Sequence, residues 1–371
     1  MIKFSIPNIQ TSDIKIVSKI IKSGWLTHGK YTSLFEKEFK KFTNSKYAIS
    51  VSSCTAGLHL SCLASGFKKG DEIIVPAQTH TATAHAVEYT GARAIFADID
   101  LKSGNINLEN IKKKVTKNTK GLIIVHMAGY PCEVEKIKSF CKKKKIILLE
   151  DCAHGVGTKF NNKHVGNFGL SGSFSFYPTK QITTGEGGMV ITNDYEFYKK
   201  IKKLKAFGID KDIKDRKKQG DYDVKSLGFN YRMTDFQAAL GYKQITQYKK
   251  NLKKRQLIAE QYIKKFSNIK NISHMPHSKN CSFFIFQIFC KNRDKILKKL
   301  KKMNIGVSVH YAKCLPKMTY YKNKYNLKDK NFPNTTEWGD SCITLPFHLK
   351  LTAKEQIYVV QTLKDAIRKI K

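Results

Sequence analysis

The chain has 371 residues, 41% of them hydrophobic and 26% charged, which allows one large and one smaller globular domain. Its formal net charge is +39, but the lysines are spread over the whole chain, few basic residues are arginine and no nucleic-acid-binding motif occurs, which argues against a nucleic-acid-binding protein. No stretch of 18 apolar residues is present, and the start, MIKFSIPNIQTSD, has no secretory signal, so we expect a cytoplasmic protein without a membrane span.

Short apolar runs alternate with helical periods in the first half of the chain. Runs such as GLIIVHM and KIILLED are almost entirely apolar, which is typical of strands covered on both faces in a parallel sheet. This alternation predicts an α/β fold whose ligands bind at the carboxyl ends of the strands. The predicted strands are 47–52, 72–76, 93–98, 121–126 and 146–150, with helices near 55–65, 80–90, 107–115 and 133–144.

The pattern changes in the second half. Strands are predicted at 174–176 and 189–191, on either side of a loop rich in threonine and glycine. A large α/β domain at 1–249, with an N-terminal helical segment, is therefore predicted to precede a small α+β domain at 250–371. The elements predicted around and after the boundary are a long helix at 234–266, short strands such as 282–289, a helix near 293–303, an irregular stretch at 310–340 and a final helix near 352–369.

Nine cysteines are scattered along the chain, and none belongs to a C-x-x-C pair. In a cytosolic chain of this length they are predicted to be free thiols, mostly buried as small hydrophobic residues. We therefore expect neither a metal site nor a disulfide framework.

Two strand ends carry candidate binding groups. The residues SSCTAG at 52–57 end one strand and begin a helix, whose free N–H groups and dipole favour a phosphate. N-capping by Ser53 or Thr55 produces the same pattern without a ligand. Asp151 ends another strand, where a carboxylate can pair with a protonated pyridine nitrogen or serve only as a polar strand end. Glu150 points to the opposite side of the sheet, because side chains alternate along a strand.

Lys180 differs from the other lysines in its sequence surroundings. It follows the apolar segment FSF, lies in a loop of threonine and glycine, and has no basic neighbour. A lysine that bonds covalently to a carbonyl group must be available as the neutral amine, which requires a desolvated or electropositive site. Ser175 lies on the preceding strand and can donate to a phosphate. The glycines at 185, 187 and 188 indicate either a tight bend near a ligand or a plain turn.

Together these segments resemble the DegT/DnrJ/StrS family of sugar aminotransferases. The resemblance covers most of the chain, and its most specific marks are the patterns ED-x-AH and FSF-x-x-TK-x-x-x-x-GEGG, which occur in the family's order. It implies the aspartate-aminotransferase type of fold (fold type I), with a large domain around a mostly parallel mixed sheet and a small domain. It also implies pyridoxal 5'-phosphate as the cofactor and a homodimer with active sites at the subunit interface.

The resemblance implies roles for the residues around the cofactor ring. Lys180 would hold the cofactor covalently, Asp151 would pair with its pyridine nitrogen, and His154 would lie near its phenolic oxygen. His80 would stack on the ring, although the family more often has Phe or Tyr there. Cys54 is a second, mild departure, because Gly is frequent at that position.

Further residues are expected at the phosphate and at the substrate. Thr55 and Ala56 would give backbone N–H groups to the phosphate, and Ser175 would give its hydroxyl. Asn230 would reach the phosphate bound in the neighbouring subunit. The residues expected near the sugar are Glu186, His310 and Tyr311.

The implied reaction moves an amino group, with glutamate as the donor, to a keto-sugar. Most relatives act on nucleotide-linked keto-sugars used for surface polysaccharides or other glycans. Dehydratases of the family have His in place of the covalent lysine, so Lys180 favours transamination. A lyase acting on a similar sugar and a non-catalytic relative that binds cofactor or sugar remain the alternatives.

Overall fold

The computed structural model describes residues 1–211, 217–218, 220–267 and 269–369. These residues form a seven-stranded sheet, a three-stranded sheet and a two-stranded hairpin. The strands, numbered along the chain, are β1 (Tyr47–Val51), β2 (Glu72–Pro76), β3 (Arg93–Ala97), β4 (Thr119–Val125), β5 (Ile147–Asp151), β6 (Lys159–Phe160), β7 (Lys163–His164), β8 (Ser171–Ser175), β9 (Gly188–Thr192), β10 (Ser273–His274), β11 (Phe286–Phe289) and β12 (Cys342–Leu345).

Helices cover the sheets. In the described segments, none of them combines the length and the apolar composition that crossing a membrane needs. The α-helices are α1 (Thr11–Ser23), α2 (Lys30–Thr43), α3 (Cys54–Ala64), α4 (Thr81–Glu88), α5 (Leu108–Lys112), α6 (Val134–Lys144), α7 (Tyr195–Leu204), α8 (Asp235–Phe266), α9 (Arg293–Lys302), α10 (Thr319–Tyr325), α11 (Pro333–Ser341) and α12 (Ala353–Lys369).

The central sheet has the strand order β1-β9-β8-β5-β4-β2-β3. The neighbours from β3 to β8 are all parallel, whereas β9 runs antiparallel to both β8 and β1. The carboxyl ends of β1, β2, β4, β5 and β8 therefore meet at one edge. The predicted mostly parallel mixed sheet is confirmed.

Alternating side chains of the central strands pack against helices on both faces. Ile73 and Val75 of β2 contact the layer that contains α3 and α4, whereas Ile74 faces the layer of α5 and α6. At the β9 side of the sheet, Met189 and Ile191 pack against α1, α2 and α8. This double coverage explains why the strands are apolar on both faces.

The long helix α8 joins the two parts of the molecule. It begins with a capping box formed by Thr234 and Gln237. Its first half, including Tyr248, packs in the core of the large sheet, and its second half, including Tyr262, packs beside β11 and α12. The predicted division between residues 249 and 250 falls at this change of packing partners and stays a prediction.

Two predicted elements differ from the structure. The stretch 310–340 is not irregular throughout, because it contains α10 and most of α11. Of the strand predicted at 282–289, only the part that is β11 forms. The residues before β11 make hydrogen bonds to the turn that follows β4 instead. The Ser282 and Phe284 amides donate to the carbonyls of Gly129 and Ala128, at 3.1 and 2.9 Å.

Candidate active site

A cavity of about 460 Å³ opens at the carboxyl edge of the central sheet, the edge at which ligands bind in open α/β folds. The ends of β4, β5 and β8 contribute to its wall, together with the turns that follow β1 and β2. Phe284 and the segment before α10 close the opposite side. The predicted site residues that line it are Thr55, His80, Asp151, His154, Ser175 and Lys180 from the catalytic and cofactor sets, and Glu186, His310 and Tyr311 from the substrate set.

Lys180 presents its amine to this cavity from the turn that follows β8. Its backbone N–H donates to the Tyr177 carbonyl at 2.9 Å, and its Nζ lies 4.1 Å from the centre of the Phe284 ring. Burial lowers the pKa of Lys180 to about 8, although the nearby Asp151 opposes this shift. The amine is therefore substantially neutral, and so nucleophilic, near pH 8.

Asp151, at the carboxyl end of β5, is the buried carboxylate of the cavity. Its side chain is held by two donors: the Thr83 hydroxyl donates to Oδ2 at 2.7 Å, and the Ala153 N–H donates to Oδ1 at 3.0 Å. The Cys54 thiol lies 4.0 Å from Oδ1. A buried carboxylate fixed in this way can pair with a cationic group that enters the cavity.

The neighbouring Glu150 points away from the cavity, as strand alternation predicts. It accepts hydrogen bonds from the N–H groups of Gly166, Phe168 and Gly169, each at 2.7 Å, and contacts His126 Nε2 at 3.0 Å. Burial opposes its ionisation, but His126 and the amides outweigh burial and hold the pKa of Glu150 below its usual range. Glu150, His126 and Cys152 lie close enough to share a metal ion. The four hydrogen bonds already use the capacity of the carboxylate, so the cluster is explained as a structural network.

The start of α3 lies at one end of the cavity and has the geometry of an anion cradle. The Ser53 side chain accepts from the Ala56 N–H at 3.0 Å, and the Ser53 carbonyl accepts from the Gly57 N–H at 3.1 Å. The first N–H groups of a helix lack intrahelical partners, so those of Cys54 and Thr55 are the pair placed for a ligand. Ala56, predicted as a phosphate donor together with Thr55, is instead capped by Ser53 in this structure.

The glycine turn after Lys180 lets β9 pass directly beside the start of α3. A Cβ atom on Gly188 would lie 2.5 Å from the Ser53 carbonyl carbon and 2.6 Å from the Cys54 nitrogen. Gly185 has a φ of +79°, a backbone conformation that favours glycine. The close approach at Gly188 shows why a side chain does not fit there.

Three histidines in the cavity wall are held in the neutral form. Burial, and next the Lys180 charge, lower the pKa of His154 well below its usual range and that of His310 to about 4. The same two causes lower the pKa of His80. His154 stacks on Phe284 with ring centres 4.3 Å apart, and its Nδ1 accepts from the Ala128 N–H. These rings add polar groups to the cavity without adding positive charge.

Two predicted residues lie at the margin or outside. Glu186 is exposed on the loop before β9 and reaches the cavity mouth. Asn230 is exposed, forms a bridge with Ala206, and does not line the cavity of its own chain. The hydrogen bond from the Ser52 N–H to the Tyr231 carbonyl, at 2.8 Å, places this segment beside the end of β1.

Sequence reasoning missed Phe284, Thr79 and Thr83. Phe284 lies in the run FFIF, which has the composition of a core strand, so its position against Lys180 left no signal in the sequence. Thr79 and Thr83 follow the end of β2 and are four residues apart. This spacing brings the two hydroxyls together at the start of α4, at the edge where the other site residues lie, and it was available in the sequence.

The arrangement fits pyridoxal phosphate. The volume lies in the range of small-molecule sites. The cavity combines an anion cradle at the start of α3, a buried carboxylate and an amine of lowered pKa, and these are the groups that a phosphate, a pyridine nitrogen and an aldehyde require. The fold and the cavity thus define an enzyme of the kind that binds pyridoxal phosphate.

The chain belongs to the DegT/DnrJ/EryC1/StrS aminotransferase family, whose pattern it matches over residues 7–364. It is 37% identical to the protein MJ1066 of Methanocaldococcus jannaschii, over 97% of this chain and 96% of the relative. It is 33% identical to the spore coat polysaccharide biosynthesis protein SpsC of Bacillus subtilis (98% and 97% covered). It is also 32% identical to GDP-perosamine synthase of Escherichia coli O157:H7 (97% and 96% covered).

Solved structures agree with this assignment. The putative sugar aminotransferase Spr1654 of Streptococcus pneumoniae in its PMP form is 29% identical and superposes with a TM-score of 0.95 over the whole of both chains. PseC of Helicobacter pylori, an aminotransferase of pseudoaminic acid biosynthesis, is also 29% identical, with a TM-score of 0.93 over the whole of both chains. The predictions of a fold type I enzyme, of pyridoxal phosphate as cofactor and of sugar transamination are confirmed at the level of the family.

Proposed function

We propose that this enzyme transfers an amino group from glutamate to a nucleotide-linked keto-sugar, and that Lys180 and Asp151 are central to the chemistry. The observation that carries the proposal is the Lys180 amine, with its pKa lowered to about 8, in the same cavity as the buried Asp151 carboxylate. A cavity that held only a sugar would have no need for a neutral lysine.

The residues of the cavity are assigned by their chemistry. When bound, pyridoxal phosphate supplies an electron-withdrawing ring that stabilises negative charge on a carbon next to the amino group. Asp151 would keep the pyridine nitrogen protonated by pairing with its positive charge. The N–H groups of Cys54 and Thr55, with the Ser175 hydroxyl, would hold the phosphate. His80 would cover the ring.

Lys180 would have two roles in each half of the reaction. As the neutral amine it would anchor the cofactor covalently. With its amine free, its Nζ would be the base that removes the proton from the donor's α-carbon and the acid that returns a proton. His154 and His310 are neutral, so they add no positive charge that would oppose protonation of Lys180 during the reaction.

The substrate class is supported by the relatives and by the cavity mouth. GDP-perosamine synthase and the polysaccharide protein SpsC are named for nucleotide-sugar and polysaccharide chemistry. Glu186, His310 and Tyr311 line the cavity, and we assign them to the sugar. The net charge of +39 favours encounter with anionic substrates such as glutamate and a nucleoside diphosphate. Use of the product in a surface polysaccharide or glycan belongs to this proposal.

The homodimer is part of the proposal as well. Asn230 is exposed and lies outside the cavity of its own chain, which fits a residue that reaches the phosphate bound by a second copy. The predicted cytoplasmic location stays a prediction.

The proposal is tested by loading the purified protein with pyridoxamine phosphate and adding keto-sugars with and without a nucleoside diphosphate. Return of the pyridoxal absorbance is expected with a nucleotide-linked keto-sugar, and glutamate should reverse it. Lys180→Ala should show no turnover and still bind the phosphate group, while Lys199→Ala, a change at an exposed lysine, serves as control. Normal turnover by Lys180→Ala would contradict the assignment, and a response to unlinked keto-sugars alone would contradict the substrate class.

A further inference from the structure

A chain of buried hydroxyls lies behind Asp151. Thr83 Oγ1 lies 2.7 Å from Asp151 Oδ2, and Thr79 Oγ1 lies 2.8 Å from Thr83 Oγ1. All three side chains are buried: Thr83 is 0% exposed, Thr79 2% and Asp151 3%. Thr79 lines the cavity, whereas Thr83 stands one layer behind it.

The direction of the hydrogen bonds in this chain follows from the number of protons. An ionised carboxylate only accepts hydrogen bonds, so Thr83 donates its single hydroxyl proton to Asp151 Oδ2. Thr79 must then donate to the Thr83 oxygen, since Thr83 has no further proton to give. The order Thr79 to Thr83 to Asp151 is therefore fixed as long as Asp151 is charged.

The same contacts fix the orientation of the carboxylate. Thr83 holds Oδ2, and the Ala153 N–H holds Oδ1 at 3.0 Å. Each oxygen keeps a further acceptor position, and Asp151 is part of the cavity wall. The two donors therefore hold the carboxylate in one orientation in the cavity wall.

We propose that Thr83, oriented by Thr79, is a positioning residue that sets the orientation of Asp151 toward the pyridine nitrogen of the cofactor. This inference rests on the proposed function, because it assigns Asp151 to that nitrogen. Thr83 acts through Asp151 and touches neither cofactor nor substrate.

The test compares Thr83→Val, which keeps the shape of the side chain and removes the hydroxyl, with Thr83→Ser, which keeps the hydroxyl. Thr83→Val leaves Asp151 Oδ2 buried without its donor. We expect its dissociation constant for pyridoxal phosphate, measured by fluorescence quenching of the apoprotein, to rise roughly tenfold. The pH at which the absorbance of the bound cofactor changes should shift as well. In Thr83→Ser, the dissociation constant and the absorbance titration should stay close to those of the wild type. Thr79→Val should give values between those of Thr83→Ser and Thr83→Val.

Thr335→Val is the matched control. Thr335 is also fully buried and donates its hydroxyl to an aspartate, Asp98, outside the cavity. This variant should lose stability in thermal unfolding and keep the wild-type cofactor affinity and absorbance titration.

Three results would overturn the positioning role. They are wild-type affinity and titration in Thr83→Val, an equal loss of affinity in Thr335→Val, and failure of Thr83→Ser to restore affinity. In these cases the wild type still binds the cofactor and turns over, so the proposed function stands. A wild-type protein that does not bind pyridoxal phosphate would overturn the proposed function and this inference together.

Discussion

Two lysines of this chain show how surroundings set the chemistry of a side chain. Lys199 is partly exposed on α7, and its hydrogen bond to Glu196 raises its pKa above the usual value. Lys180 has no comparable partner among its described contacts, and burial beside Phe284 lowers its pKa to about 8. Of these two lysines, only Lys180 has a neutral amine available near physiological pH.

The lowered pKa of Lys180 predicts how its reactivity toward a carbonyl group depends on pH. Below about 8 the amine is protonated and does not attack a carbonyl, and above that value it is neutral. The rate at which apoprotein binds pyridoxal phosphate covalently should therefore rise with pH and level off above about 8, as measured by stopped-flow absorbance.

Two controls sharpen this measurement. Lys180→Ala gives the background from the many other lysines. A free lysine derivative should keep gaining rate up to about pH 10 because its amine is unperturbed. A protein rate that rises in parallel with the free derivative would contradict the desolvated site.

For single residues, the sequence is most informative about polar side chains that stand at the end of a strand. Asp151 and Lys180 follow predicted strands and Ser175 lies on one, so the α/β pattern predicts them near one edge of the sheet, and the family resemblance joins them into one site. Phe284 was not accessible in this way, and N-capping by Ser53 was one of two interpretations of its segment that the sequence could not separate. The first depends on how a distant segment packs, and the second on which rotamer Ser53 adopts.

At the scale of elements, the contact between β9 and the start of α3 shapes the anion cradle. The absence of a side chain at Gly188 lets the two backbones approach each other, as the short distances from a Cβ at that position indicate. Any atom added there must displace the helix start or the strand.

Gly188→Ala is therefore expected to lower both stability and cofactor affinity. Overpacking of this kind costs typically about 1–3 kcal/mol, and the shift falls on the N–H groups of Cys54 and Thr55. Thermal unfolding and the dissociation constant of pyridoxal phosphate measure the two effects.

Gly121→Ala is the control for this prediction. Gly121 is a strand glycine of β4 whose Cβ would lie 2.3 Å from the Phe67 ring, away from the cavity. It should lose stability without losing cofactor affinity. An equal loss of affinity in both variants would show that the contact at Gly188 does not shape the cradle.

Elements with a clear period were predicted from sequence, and those without one were not. The helix at 234–266 and the parallel strands were predicted closely because their apolar positions repeat over many residues. Helices α10 and α11 have seven and nine residues. The position of α10 depends on long-range bonds from Tyr320, Tyr325 and Lys324 to Glu88. A local sequence pattern does not predict bonds of this kind.

At the scale of the whole molecule, the question is whether one chain makes a complete site. The described cavity holds the lysine, the carboxylate and the helix start, but Asn230 lies outside it. If a second copy supplies Asn230, each active site is made of two chains.

A shared site predicts complementation between inactive variants. Lys180→Ala and Asn230→Asp, the latter placing a negative charge beside the phosphate, should each be poorly active alone. When the two are unfolded and refolded together, half of the dimers carry one site with both wild-type residues, so about a quarter of the wild-type activity should return. Sedimentation checks that the variants are dimers, and a mixture no more active than its parts would contradict the shared site.

All nine cysteines are buried and stand outside disulfides, and eight of them lie outside the cavity lining. Burial raises the pKa of thiols such as Cys281 to about 12, which keeps them from forming thiolate. A thiol-specific dye should therefore label the native protein very slowly and the unfolded chain at once. The thiols therefore report on global unfolding of the chain.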